Sequence, residues 1–261
     1  MLPLTFHTMK TPFFFILIGL AALAGCSEVG SKDSANVNPS GGSGTGGSMA
    51  RFAVAGNYLY VVNQNSLQVY DVQQSGNPNN LSKVSLGFGV ETIFPYNQHL
   101  FIGTQTGMYI MNLENPARPQ QTALYRHIYS CDPVVAQGNY AYVTLRSGTA
   151  CNTGPNRLEV VDISNLANPT MVNSISMINP HGLGIDGNLL FVSEGDSGLK
   201  VFDATDPVKL KLIKTFDDIR SYDVIPNRSV LIVTGKDGIF QYRYDASQQL
   251  TLLSKLPVEI Q

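Results

Sequence analysis

The sequence predicts an all-β fold made of five copies of one unit, and two recurring positions support this prediction. A bulky apolar residue recurs at spacings of 41, 41, 49 and 41 residues, at Tyr60, Phe101, Tyr142, Phe191 and Ile232. A second, mostly acidic position recurs at spacings of 41, 50, 41 and 41 residues, at Asp71, Asn112, Asp162, Asp203 and Tyr244. Because two positions give one period, each copy is a structural repeat, and the third copy carries an insertion.

Each copy contains four short segments of alternating or β-branched character, separated by turn residues. In the third copy these segments are residues 133–137, 139–145, 157–163 and 171–177. Gly-Asn pairs at 56–57, 138–139 and 187–188 lie between the first and second segments, where a two-residue hairpin needs a positive φ. Four strands in ~40 residues are typical of a propeller blade. The sequence therefore predicts a five-bladed β-propeller of four-stranded antiparallel blades.

The copies begin and end in phase, so no blade should combine strands from both ends of the chain. We therefore expect the ring to close by packing of the faces of blades one and five, or by a strand that the preceding segment adds.

Three of the third segments resemble the repeat of the LVIVD-repeat proteins, which are propeller-like bacterial lipoproteins mostly without assigned activity. They are Leu67–Asp71, Leu158–Asp162 and Leu199–Asp203. The resemblance spans residues 49–258 and is weaker in the second and fifth copies. It implies a propeller domain over residues 49–261 and a place in the bacterial cell envelope.

Residues 1–26 have the features of a bacterial lipoprotein signal peptide. Lys10 precedes an apolar run, residues 12–23, that is short for a membrane span. The run ends in Leu23-Ala24-Gly25-Cys26, which resembles a lipobox; an ordinary secretory signal is the alternative. The resemblance implies acylation of Cys26, palmitate included. Because Ser27 rather than aspartate follows Cys26, the resemblance also suggests attachment to the outer membrane, on either its periplasmic or its surface side.

Residues 27–48 are rich in Ser, Gly and Asn and contain too few apolar residues to form a core. We expect them to be a disordered tether that spans roughly 25 Å on average.

Cys131 and Cys151 remain once Cys26 is assigned to lipidation. In an exported protein an even number of cysteines favours a disulfide, and we predict Cys131–Cys151 across the enlarged loop of the third copy. Two free thiols, or a redox or metal site, are the alternatives. No Cys-x-x-Cys and no paired histidines lie nearby to favour a metal.

The best candidate site is a ring at the mouth of the central funnel. Ten residues before each apolar landmark, where the innermost strand of each copy begins, lie Ala50, Glu91, Asp132, His181 and Tyr222, with Arg51, Arg220 and Asp223 close by. We interpret Arg51, Glu91, Asp132, His181 and Tyr222 as possible contacts for a small polar ligand or a cation. A hydrated funnel entrance without a ligand is the alternative.

Several other functions are disfavoured by the sequence. The pattern Gly182, Gly184, Gly187 has the spacing of a dinucleotide-binding loop but is followed by no helix, so we attribute these glycines to close packing of inner strands. No G-x-S-x-G is present, and no catalytic residue or cofactor is predicted. The net charge of −2 does not predict nucleic-acid binding. We therefore expect a non-enzymatic, lipid-anchored binding or scaffolding module for a protein or glycan partner. An enzyme or metal-dependent ligand site at the funnel is the alternative.

Overall fold

The computed structural model describes residues 46–74, 76–127, 133–148, 154–245, 247 and 249–258. They form twenty strands in five antiparallel sheets of four, which confirms the predicted fold class. The sequence assignments at Cys26, Cys131, Asp132 and Cys151 lie outside the described residues. No helix within the described ranges is long and apolar enough to cross a membrane.

Each sheet is one blade, and its strands are neighbours in chain order. Blade one contains β1 (Phe52–Ala55), β2 (Tyr58–Asn63), β3 (Ser66–Asp71) and β4 (Asn79–Ser85). Blade two contains β5 (Val90–Tyr96), β6 (His99–Thr104), β7 (Gly107–Asn112) and β8 (Gln120–Arg126). Blade three contains β9 (Val134–Gln137), β10 (Tyr140–Leu145), β11 (Arg157–Asp162) and β12 (Thr170–Ser176). Blade four contains β13 (Leu183–Asp186), β14 (Leu189–Ser193), β15 (Leu199–Asp203) and β16 (Lys211–Phe216), with a 3₁₀ turn at Pro207–Lys209. Blade five contains β17 (Ser221–Asn227), β18 (Val230–Gly235), β19 (Gly238–Tyr244) and β20 (Leu250–Leu256).

The first turn of every blade is a two-residue hairpin, as the sequence predicts for copies one, three and four. Gly56, Gly138 and Gly187 each have φ of 58°, a left-handed conformation that glycine adopts most readily. Blades two and five use two consecutive non-glycine residues of positive φ instead, Asn97-Gln98 and Arg228-Ser229. The fifth copy also differs from its predicted alignment by one residue. Ile232 pairs with Gln241 as Phe101 pairs with Ile110, so the equivalent of Asn112 is Arg243 rather than Tyr244.

The core consists of four apolar clusters, one at each boundary from blades one and two to blades four and five. The landmark residues Tyr60, Phe101, Tyr142 and Phe191 lie in these clusters and are buried. The inner strands β1, β5, β9, β13 and β17 contact one another in sequence. This arrangement places the beginnings of the inner strands around one axis, where the candidate site is expected.

Among the described residues, no apolar cluster joins blade five to blade one. The contact there comes from residues that the sequence assigned to the tether. Ser48 Oγ donates to Asp223 Oδ1 over 3.1 Å and accepts from the Leu183 amide over 2.7 Å. Gly47 packs so closely on Asp223 that a side chain would overlap its carboxylate. In the part of the chain that the structure describes, a buried turn that includes Gly47 and Ser48 makes this contact, rather than face packing or an added strand.

Candidate functional site

A cavity of about 300 Å³ lies at the axis, and four of the five blades supply its lining. Its walls are Met49, Arg51, Glu91, Thr92, Pro133, Arg146 and His181. The structure therefore brings together three of the predicted site residues, Arg51, Glu91 and His181. Tyr222, a fourth, has its ring centroid 5.1 Å from that of His181.

Arg51 is held by the backbone of the next blade. Its Nε donates to the Glu91 carbonyl and its Nη2 to the Val90 carbonyl, both over 3.1 Å. These two hydrogen bonds join blades one and two and fix the plane of the guanidinium group beside the cavity.

Glu91 provides the carboxylate of the cavity. Burial raises its pKa, while a hydrogen bond from Gln105 and the positive charges of Arg51 and Arg146 oppose the rise. Gln105 Nε2 donates to Glu91 Oε1 over 3.2 Å. Within the described lining, the Glu91 carboxylate thus interacts electrostatically with two guanidinium groups.

His181 is a neutral imidazole. Burial lowers its pKa to about 4; the Arg146 charge adds to the decrease and Asp196 opposes it. Asn179 Nδ2 lies 3.2 Å from His181 Nε2. Because an amide nitrogen only donates, Nε2 is the acceptor, and the ring can offer its remaining nitrogen to a ligand.

Arg146, Thr92, Pro133 and Met49 were not predicted as site residues. In a hairpin the end of the second strand lies beside the beginning of the first, so both positions reach the axis. Counting four residues beyond each landmark finds this second ring at Gln64, Gln105, Arg146, Gly195 and Lys236. The predicted ring contains only positions before the landmarks, so it includes Glu91 but not Arg146.

Asp223, at the beginning of the innermost strand of blade five, anchors the N-terminal turn. Burial raises its pKa to about 6, against hydrogen bonds from the amides of Val224 and Met49 and from the Ser48 hydroxyl. A Cβ on Gly182 would overlap the same carboxylate. This contact supports the interpretation that Gly182, directly before β13, allows close packing of inner strands rather than phosphate binding.

Asp223 should make the free energy of unfolding depend on pH. Its pKa is raised in the folded state, so between pH ~4 and ~6 the native protein binds more protons than the unfolded chain, and stability falls as pH rises. His181 contributes the opposite slope of unfolding free energy against pH because its pKa is lowered.

Comparison of Asp223→Asn with wild type by denaturant unfolding isolates the contribution of Asp223, since His181 is present in both proteins. The variant should gain about 2–3 kcal/mol relative to wild type as pH rises from 4 to 7. Asp217→Asn, at an exposed position, is the control. If the difference in unfolding free energy between Asp223→Asn and wild type does not change with pH, the raised pKa of Asp223 is contradicted.

The described residues include no group of three or more His, Cys, Asp or Glu side chains placed to hold a metal ion. The cavity instead combines two guanidinium groups, one carboxylate and a neutral imidazole beside a tyrosine ring. Guanidinium groups bind planar oxyanions through paired N–H donors, and the carboxylate and imidazole can bind hydroxyl groups.

Comparison with protein families finds the LVIVD repeat at residues 46–92 and 130–176. These segments include the first and third copies, where the resemblance in sequence is strong, and the first begins at the buried turn that precedes β1. The fourth copy, whose third segment also resembles the repeat, lies outside these two segments. No curated protein sequence matches the chain.

Solved structures of similar fold are β-propeller proteins. One is a protein from Lactobacillus plantarum, with 17% identity and a TM-score of 0.60 over 76% of this chain and 67% of that chain. Another is the periplasmic gluconolactonase PpgL from Pseudomonas aeruginosa, with 18% identity and a TM-score of 0.60 over 78% and 68%. A third is BamB from Moraxella catarrhalis, with 11% identity and a TM-score of 0.53 over 79% and 62%. At these identities the likeness concerns the fold alone.

Proposed function

We propose that this propeller of LVIVD repeats is a non-enzymatic binding module of the bacterial cell envelope, anchored through lipid on Cys26, whose funnel binds an acidic sugar unit of a glycan. The observation that carries the proposal is that two guanidinium groups, Arg51 and Arg146, belong to the described lining of one cavity together with Glu91 and His181. Guanidinium groups donate paired hydrogen bonds to carboxylates, so a ligand carboxylate suits this lining.

The remaining polar groups suit the hydroxyl groups of a sugar. Glu91 accepts hydrogen bonds, the neutral His181 has a ring nitrogen to offer, and Tyr222 provides an aromatic surface beside it. A volume of about 300 Å³ is at the small end of ligand clefts and suits one or two sugar units. A larger glycan would therefore bind through its end or through one acidic unit.

The alternative of a divalent metal bound by Glu91, Asp132 and His181 is less well supported. Two guanidinium groups beside the same cavity would repel a cation. Catalysis is also less well supported, because the sequence contains no G-x-S-x-G nucleophile motif.

The proposal is tested by calorimetric titration of the full chain with galacturonate and, as the neutral counterpart, galactose. Galacturonate should bind, and Arg146→Ala should weaken its binding by ~10–100-fold, the effect of one charge-assisted hydrogen bond. Arg118→Ala, an exposed arginine far from the axis, is the control. Equal binding of both sugars, or no effect of Arg146→Ala, would reject the funnel assignment. Release of a Cys26→Ser variant from the membrane fraction tests the anchor.

A further inference from the structure

Blade one has an apolar face that no described part of the chain covers. Phe52, Leu59, Val61 and Tyr70 occupy the same repeat positions as Ile93, Leu100, Ile102 and Met111 of blade two. The four residues of blade two are 1% exposed or less, because blade one packs on them. Phe52 is 61% exposed, and its three neighbours on the face are only half-buried.

Blade five has the complementary face uncovered. Ile239 occupies the repeat position at which copies one to four have the residues Leu67, Met108, Leu158 and Leu199, all fully buried. Ile239 is 38% exposed, and Leu256, its partner on β20, is 64% exposed. The landmark Ile232 is half-buried, whereas the four aromatic landmarks are buried.

We propose that these two faces bind each other between two copies of the chain, the blade-five face of one copy on the blade-one face of the next. The same two kinds of face pair at all four boundaries inside the chain. A contact between copies would continue that packing, with the same repeat positions interdigitating. The faces are different, so the contact is heterologous rather than two-fold symmetric.

The composition of the faces sets the strength of this contact. Gln241 lies in the blade-five face where the other copies have Val69, Ile110, Val160 and Val201, all buried. A glutamine there reduces the apolar area and must keep a hydrogen-bond partner on burial. Association should therefore be weaker than the boundaries inside the chain and reversible. Attachment of all copies to one membrane would raise their effective concentration.

Sedimentation of the full chain in a mild detergent tests the proposal with two charge variants, Phe52→Asp and Ile239→Asp. Wild type should form oligomers at micromolar concentrations. Each variant alone should be monomeric, since each loses one of the two required faces. A mixture should form dimers and nothing larger, because Phe52→Asp retains its blade-five face and Ile239→Asp retains its blade-one face.

The control is Leu212→Asp, which adds the same charge at an exposed leucine on the outer strand of blade four. It should assemble like wild type, and all three variants should keep the thermal midpoint of the wild-type monomer. A monomeric wild type would overturn the proposal. So would oligomers of either variant alone, which would indicate symmetric pairing of like faces, or a mixture that remains monomeric.

Discussion

Replacement of Glu194 by alanine is expected to lower the free energy of unfolding by about 3–5 kcal/mol. The side chain of Glu194 is fully buried after β14 and accepts hydrogen bonds from the amides of Ile178 and Asn179 over 3.0 and 2.8 Å. Its second oxygen lies 3.0 Å from Lys200 Nζ, which is itself mostly buried. Alanine would leave a buried ammonium group and two amides without this acceptor, and the loss of a buried partner costs more than the pair contributes.

A double-mutant cycle with Lys200→Met separates the contribution of the ion pair from the cost of leaving one buried charge without its partner. Lys200→Met alone should also destabilise, because Glu194 then remains buried with only amide donors. The double variant Glu194→Ala, Lys200→Met should lose clearly less than the sum of the single losses, since neither charge is left unpaired. Denaturant unfolding of the full chain measures all four proteins. A loss below about 1 kcal/mol for Glu194→Ala, typical of an exposed pair, would contradict a buried network.

Phe101→Ala is expected to cost about 3–5 kcal/mol, whereas the corresponding change in the last copy, Ile232→Ala, should cost about 1 kcal/mol. Phe101 is buried in the cluster between blades two and three. Its removal would leave a cavity that the rigid strands on both sides cannot fill. Ile232 has the same repeat position but no described blade packs on it, so water can occupy the space that its side chain leaves.

The two variants are a matched pair because both residues occupy the same position on the second strand of their blades. Both side chains lie on the face against which the next blade packs at the boundaries inside the chain. The urea midpoints of the two variants give the two losses of unfolding free energy, provided that this free energy depends equally on urea concentration in both. Equal losses at both positions would mean that another part of the same molecule covers the blade-five face, and a concentration-dependent loss at Ile232 would mean that a second copy does.

Much of the candidate site could be predicted because the repeat fixes which residues reach the axis. Glu91 and His181 were found by counting from the landmarks, and both line the cavity. Arg146 directly follows the second strand of its hairpin, beside the beginning of the first strand. The same repeat count, applied to the ends of the second strands, predicts it as well. The contact of Ser48 with Asp223 joins residues 175 positions apart and involves one residue outside the repeat, so no periodic pattern indicates it.

The sequence by itself determined the number of blades, the strands in each and the residues that turn toward the axis, because period-2 alternation and positive-φ turns are local properties of the chain. Only the tertiary structure decided which blade faces are covered. That depends on how successive blades pack: the same residue type is buried at Leu100, on which blade one packs, and half-buried at Leu59, on which no described blade packs.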